Sequence, residues 1–285
     1  MTKLPALSNW ESTSHSLHKA AQLLGALRML VRDPVPNYLE LALRIEPNGL
    51  STDVMPSGDV VLLDFQQAAL VYSPRDNQLG TIPLAGQSQA SLLEALLSAM
   101  SERGRSVAPI SNPGQSYTAA LFAALDARGH RFKPNPSDLT DELPLEVDPN
   151  VSAAYSEVLY RVFTAIARFR ARLTGPMTPI VVWPEHFDLS FLWFATERAT
   201  DEFPHMNFGF APFDDQSAQP YLYAYAYPMP EGFERLPLPS LAQWHTEGWK
   251  GVVVPYDELA RLEDPEAEIE RICAGIYEVL MPTLR

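Results

Sequence analysis

The chain has one cysteine, Cys273, among 285 residues, so an internal disulfide and a cysteine-paired metal site are both excluded. It is short of positive charge: 21 Lys and Arg stand against 35 Asp and Glu, a net −14 that repels phosphate backbones and anionic lipid heads. Nucleic acid and a membrane surface are therefore not expected as partners. No apolar run approaches the ~18 residues needed to cross a bilayer. The first thirty residues lack a basic segment followed by an apolar core and a small-residue cleavage site, which points to the cytoplasm. Also missing are the glycine-rich dinucleotide and phosphate loops, the Gly-x-Ser-x-Gly elbow and His-Glu-x-x-His, so nucleotide binding, elbow-type serine hydrolysis and zinc-protease chemistry lose their usual signals. Glycine is sparse at 14, whereas proline is abundant at 26. What remains, 46% hydrophobic and 20% charged, is the composition of a packed globular protein.

The length is about twice a ~150-residue domain. Apolar residues at helical spacing from Leu17 to Val31, with Ser12, Thr13 or Ser14 as candidate caps, predict a first helix that Asp33-Pro34 ends. Alternation of Leu39, Leu41, Leu43 and Ile45 with polar partners predicts a strand over 39–46. Further strands read at 59–65, 68–73 and 80–84, and helices at 88–103 and 116–128. Residues 131–150 hold four prolines and five acids with little apolar periodicity, the pattern of a stiff, solvated linker. A helix at 152–173 follows, then strands at 179–183, 186–194, 205–211, 221–227 and 251–254. Asp264-Pro265-Glu266 opens a last helix. The expectation is an α+β fold of antiparallel sheets flanked by helices. Helix, strands, helix occurs twice, in a first half (1–130) and a second half (151–285) joined across 131–150 into one compact unit, and internal duplication is one reading of that order.

The richest segment is Trp183-Pro184-Glu185-His186-Phe187-Asp188-Leu189-Ser190. As a strand it places His186, Asp188 and Ser190 on one face and Phe187, Leu189, Phe191 and Trp193 on the other. The next two strands repeat the split: His205, Asn207 and Gly209 oppose Met206, Phe208 and Phe210, and Tyr221, Tyr223, Tyr225 and Tyr227 oppose Leu222, Ala224 and Ala226. Pairing would align the polar row as a small-molecule pocket with the Leu-Ala-Ala row under a helix. His186 is the candidate acid/base, oriented by Asp188. Two imidazoles and a carboxylate would alternatively hold a divalent metal. A wet sheet face, or a tyrosine surface packed on a partner or a second copy as a homodimer, would show the same alternation. In the first helix His18, Gln22 and Gly25 form one stripe, either a satisfied core histidine or a second wall of the pocket. Mid-helix glycine costs roughly 1 kcal/mol against alanine, which implies that another element comes close there. Arg161, Arg168 and Arg172 read as a solvated face, and Cys273 as a packing residue.

Trp10, Thr13, His18, Gln22, Gly25 and Arg28, then Gly49-Leu50, Asp64-Phe65 and Ile82-Pro83-Leu84, resemble in spacing a bacterial family whose function is unknown. The resemblance continues through the Trp183 to Leu189 segment, similar to a Trp-Pro-His-His-Phe-Asp-Leu signature, and through Asn207-Phe208-Gly209-Phe210 and Pro220-Tyr221-Leu222-Tyr223. Glu185 departs from the first signature histidine, where glutamate can still serve as ligand or base, and Ala26 stands where many members have lysine. Residues 105–130 fit least and read as an insertion. The resemblance implies a shared site or a shared core. The functional expectation is a pocket lined by His186, Asp188, Glu185, His205, Asn207, Tyr221, Tyr223 and Tyr225, with His18 and Gln22 nearby, serving acid/base or metal-assisted hydrolysis or transfer. The alternative is a non-enzymatic interaction protein using the tyrosine face.

Overall fold

A computed structural model describes residues 3–73, 80–104, 116–132, 134–213 and 219–284. Residues 105–115, the front of the stretch read as an insertion, lie outside the described residues. The fold is α+β, with two antiparallel sheets and six α-helices among the described residues. The chain divides into two units. One comprises Asn9–Ser156 and Val182–Phe187, the other Met1–Ser8, Glu157–Val181 and Asp188–Arg285.

The first of these is organised by α1 (Glu11–Val31). Lys19 is the only charged residue that carries Lys, Arg or an acid between Ser12 and Leu27, and the helix is accordingly buried along almost its whole length. It starts from Trp10 without a side-chain cap, not from the serine and threonine that follow. Its polar side chains hold main chain. Thr13 Oγ1 accepts from the Asp148 amide at 3.0 Å, Ser16 Oγ accepts from the Glu146 amide at 2.8 Å, and Lys19 pairs with Asp141 at 2.6 Å. The chain at Asp141, Glu146 and Asp148 is thus pinned along α1. At the other end Arg28 donates to the carbonyls of Leu39, Glu40 and Thr52. That explains why 39–46 is not one strand: acceptors that a ladder would need are taken by a guanidinium, the chain turns through Asn37 and Tyr38 at positive φ, and β1 is only Arg44–Glu46. Leu41, Leu43 and Ile45 are nevertheless buried.

β1, β2 (Gly49–Ser51), β3 (Val60–Asp64), β4 (Ala69–Ser73) and β5 (Gly80–Pro83) form a sequential meander. Helix α2 (Gln89–Glu102) begins in a reciprocal Ser88/Ser91 capping box, and α3 (Tyr117–Ala127) at Ser116. Helix α4 (Pro149–Arg170) starts three residues before the expected position. Asp148 Oδ1 accepts from the Asn150 and Val151 amides, so Asp148-Pro149 is the same start signal as Asp264-Pro265.

The chain passes to the other unit at β6 (Val181–Trp183), the last strand of a sheet ordered β10–β11–β9–β8–β7–β6. Its members β7 (Asp188–Phe194), β8 (His205–Ala211) and β9 (Tyr221–Tyr227) match the expected spans closely, whereas residues 184–187 form a turn, so His186 is not a strand residue. The short edge strand β10 (Gln243–His245) and helix α5 (Tyr256–Ala260) carry no strong pattern and were not expected; β11 (Gly251–Pro255) was. Leu189, Phe191, Met206, Phe208, Phe210, Leu222, Ala224 and Val252 make the buried face. The Phe169 ring of α4 lies 4.8 Å from Phe208, and α6 (Pro265–Leu280) packs on β9 where Ala224 and Ala226 leave room. Cys273 is buried on α6, and burial pushes its thiol up to about 12. The arginine row is partly engaged: Arg161 pairs with Glu266 and Glu157, and Arg172 with Glu270.

Candidate functional site

Register aligns the expected polar row. Leu192, Asn207 and Tyr225 are opposite one another, as are Ser190, Gly209 and Tyr223, and as are Phe194, His205 and Tyr227. Tyr223 reaches beyond its neighbour. A Cβ on Gly209 would lie 2.4 Å from Tyr223 Cζ, so the absence of a side chain lets the phenol lie flat across β8. Its hydroxyl donates to Asp188 Oδ2 on β7 and is also hydrogen-bonded with Ser190. Burial first, then the Asp188 charge, holds the Tyr223 phenol well above 10, so it stays a donor. Next to it, Asn207 Nδ2 donates to the Tyr225 hydroxyl at 3.1 Å. The Tyr223 and Tyr225 rings are parallel within 9° at 6.4 Å.

His205 is fixed as one tautomer. Its Nδ1–H donates to the Phe203 carbonyl at 2.8 Å, which leaves Nε2 as the acceptor. Burial lowers its pKa, so the neutral ring dominates at pH 7. The ring stacks on Tyr227 at 5.4 Å. Asn207 Oδ1 is buried with no hydrogen-bond partner among the described residues, which costs about 1–3 kcal/mol relative to a satisfied carbonyl.

Three members of this face escaped the sequence reading as site residues. Ser190 was visible only as part of the alternation. Trp249 stands edge-on to Tyr223 and Tyr225, 6.1 and 6.5 Å away, and His245 packs on Trp249 at 4.5 Å. The usable signal was Gly251, where a Cβ would meet the Trp249 ring at 2.3 Å. A strand glycine announces a close approach.

The remaining expected residues belong to the other unit. His186 is exposed in the 184–187 turn, with Glu185 half-buried beside it. His18 Nε2–H donates to the carbonyls of Pro184 and Glu185 at 2.9 and 3.0 Å, and its ring stacks on Phe187 at 5.7 Å. Burial, reinforced by His186 and His15, lowers His18 to about 4 against the two carbonyl bonds. It is a neutral clamp on a turn. Phe187, at φ 59°, is buried against Tyr155 and Phe65. Gln22 Oε1 accepts from Gln89 Nε2 at 3.0 Å, and Gly25 lies under Pro184. Among the described residues no group of three or more His, Cys, Asp or Glu side chains is placed to hold a metal ion.

The profile of one family, described as a family of unknown function (DUF5996), matches residues 2–282. The chain belongs to that family. No curated protein and no solved structure matches it. Family membership assigns no reaction. None of the helices is long and apolar enough to cross a membrane among the described residues.

Proposed function

We propose that the sheet face carrying Asp188, Ser190, His205, Asn207, Tyr221, Tyr223 and Tyr225 binds a small polar molecule, with His205 Nε2 as its proton acceptor. The observation that carries this reading is Asn207 Oδ1, a buried carbonyl oxygen without a partner among the described residues, two residues from a neutral histidine whose tautomer turns an acceptor away from the main chain. A sheet face that only needed covering would bury apolar side chains, as the opposite face does. Here Asp188, Ser190, His205, Asn207 and Tyr223 are each less than a tenth exposed. The same burial favours a small molecule over a flat protein partner, which would meet Tyr227 but not the polar row. The acid/base position falls to His205 in place of His186, because Asp188 Oδ2 already accepts from Tyr223 and His186 is exposed in a turn.

Thermal-shift screening of a library of small polar molecules tests this, with the hits repeated on Asn207→Ala. Compounds acting at the face raise the melting temperature of the parent protein and lose most of that gain in the variant. A library in which every hit acts equally on both proteins overturns the site.

A further inference from the structure

We infer that the ligand of this face is a small organic cation carrying N–H donors, an amine or a guanidinium. The inference rests on the site proposed above and adds its chemical class. Asn207 Oδ1 accepts and has no hydrogen-bond donor among the described residues, and His205 Nε2 is the ring nitrogen left as an acceptor. A carboxylate or phosphate brings more acceptors and would leave them unsatisfied; a donor satisfies both. The charges felt by the face have one sign. Asp188 acts on Tyr223, Asp188 and Asp201 act on Tyr225, and Asp201 acts on His205. The nearby guanidinium of Arg198 lies over the Phe203 ring at 5.1 Å. Aromatic surface completes the match. Tyr221, Tyr225 and Trp249 are half-buried and Tyr227 is exposed, so their π faces and edges are available at the rim, and a cation over such a ring gains attraction that a neutral or anionic group does not.

Access follows from the same contacts. Asn207 Nδ2 is held by the Tyr225 hydroxyl, which fixes the amide with Oδ1 as the atom left for a ligand N–H. Tyr223, held by both Asp188 and Ser190 and lying on Gly209, stays in place as the floor.

Calorimetric titration with propylammonium and methylguanidinium at millimolar concentration tests the class. Propionate, methyl phosphate and propionamide at matched ionic strength are the comparison, and the Trp249 indole resonance reports location. The expected result is saturable binding of one or both cations with a shift of that resonance, weakened at least fivefold by Asn207→Ala and by Asp201→Asn. Binding of the anion or the amide at the face, with no cation binding, overturns the cation class and leaves the site standing. Binding of no probe to the parent protein, or cation binding unchanged in both variants, overturns the cation class too; only indifference of every library hit to Asn207→Ala removes the site. Nα-acetyl-lysine amide separates the sources: tighter binding than propylammonium assigns a peptide side chain, and equal or weaker binding assigns a free amine.

Discussion

Gly25→Ala sets two physical effects of opposite sign against each other. Gly25 lies well inside a 21-residue helix, where alanine is favoured over glycine by roughly 1 kcal/mol. The new methyl, however, would lie 2.5 Å from Pro184 Cγ and 3.0 Å from Pro184 Cβ, where carbon atoms normally rest at about 3.5–4.0 Å. The proline ring cannot swing aside: the Pro184 and Glu185 carbonyls are held by His18, and Phe187 is buried against Tyr155 and Phe65. Overpacking of this kind costs about 1–3 kcal/mol, and with the turn held at three points the upper end applies, for a net loss of about 1–2 kcal/mol. Urea denaturation monitored by far-UV circular dichroism reads it as a lower midpoint at unchanged slope. In a Pro184→Ala background the closest contact, Cγ, is gone, so Gly25→Ala should cost at least about 1 kcal/mol less there. A gain in stability in the parent protein, or additivity within about 0.5 kcal/mol, would refute the close-approach argument.

Three further outcomes follow from the same contacts. His18 has a folded pKa of about 4 against 6.5, so the unfolded chain binds the proton first; stability is complete above pH 6.5 and falls by about 3 kcal/mol as pH drops toward 4. Proton NMR of the ring should show no titration between pH 6 and 8, and a midpoint near 6.5 contradicts the clamp. Tyr223→Phe keeps the ring on Gly209 but removes the donor to Asp188, and should cost about 1.5–3 kcal/mol in urea, while a loss under about 0.5 kcal/mol would mean the bond is replaced by water. Glu266→Ala takes from Arg161, 15% exposed, its buried carboxylate partner and leaves it the exposed Glu157, for a loss of about 1–3 kcal/mol; Arg161→Met with Glu266→Met should recover most of it, and no recovery would show that the pair itself is not the source.

How much was legible in the chain depended on whether the deciding partner was local. The β7, β8 and β9 alternation is a local pattern, and it carried both the register of the polar row and the small Ala224 and Ala226 face beneath α6. The 39–46 strand failed because Arg28, more than ten residues away, takes the Leu39 and Glu40 carbonyls. His186 was assigned to the wrong element because Phe187 takes up φ 59°, a conformation its sequence does not announce, and the strand starts one residue later. The length of Tyr223's reach depended on Gly209, a residue read as part of a row when its meaning was a gap.

The hydrogen bonds made by four α1 side chains and those made on the sheet face differ in kind, and the difference separates framework from candidate chemistry. On α1, the side chains of Thr13, Ser16, His18 and Arg28 bind main-chain atoms of distant loops, an arrangement that fixes loops in place. On the sheet face, Tyr223 binds Asp188 and Asn207 binds Tyr225, side chain to side chain, the least common class of protein hydrogen bond. Such pairs are costly to bury when any member is incomplete, and Asn207 is incomplete. Loss of a clamp on α1 should therefore appear chiefly as a change in stability with ligand response proportionate to the folded fraction. Asn207→Ala removes a buried unsatisfied oxygen, so it should lose ligand response while costing less stability than a clamp substitution such as His18→Ala. The opposite ranking, with Asn207 the more destabilising of the two and ligand response retained, would move the functional face away from the tyrosine row.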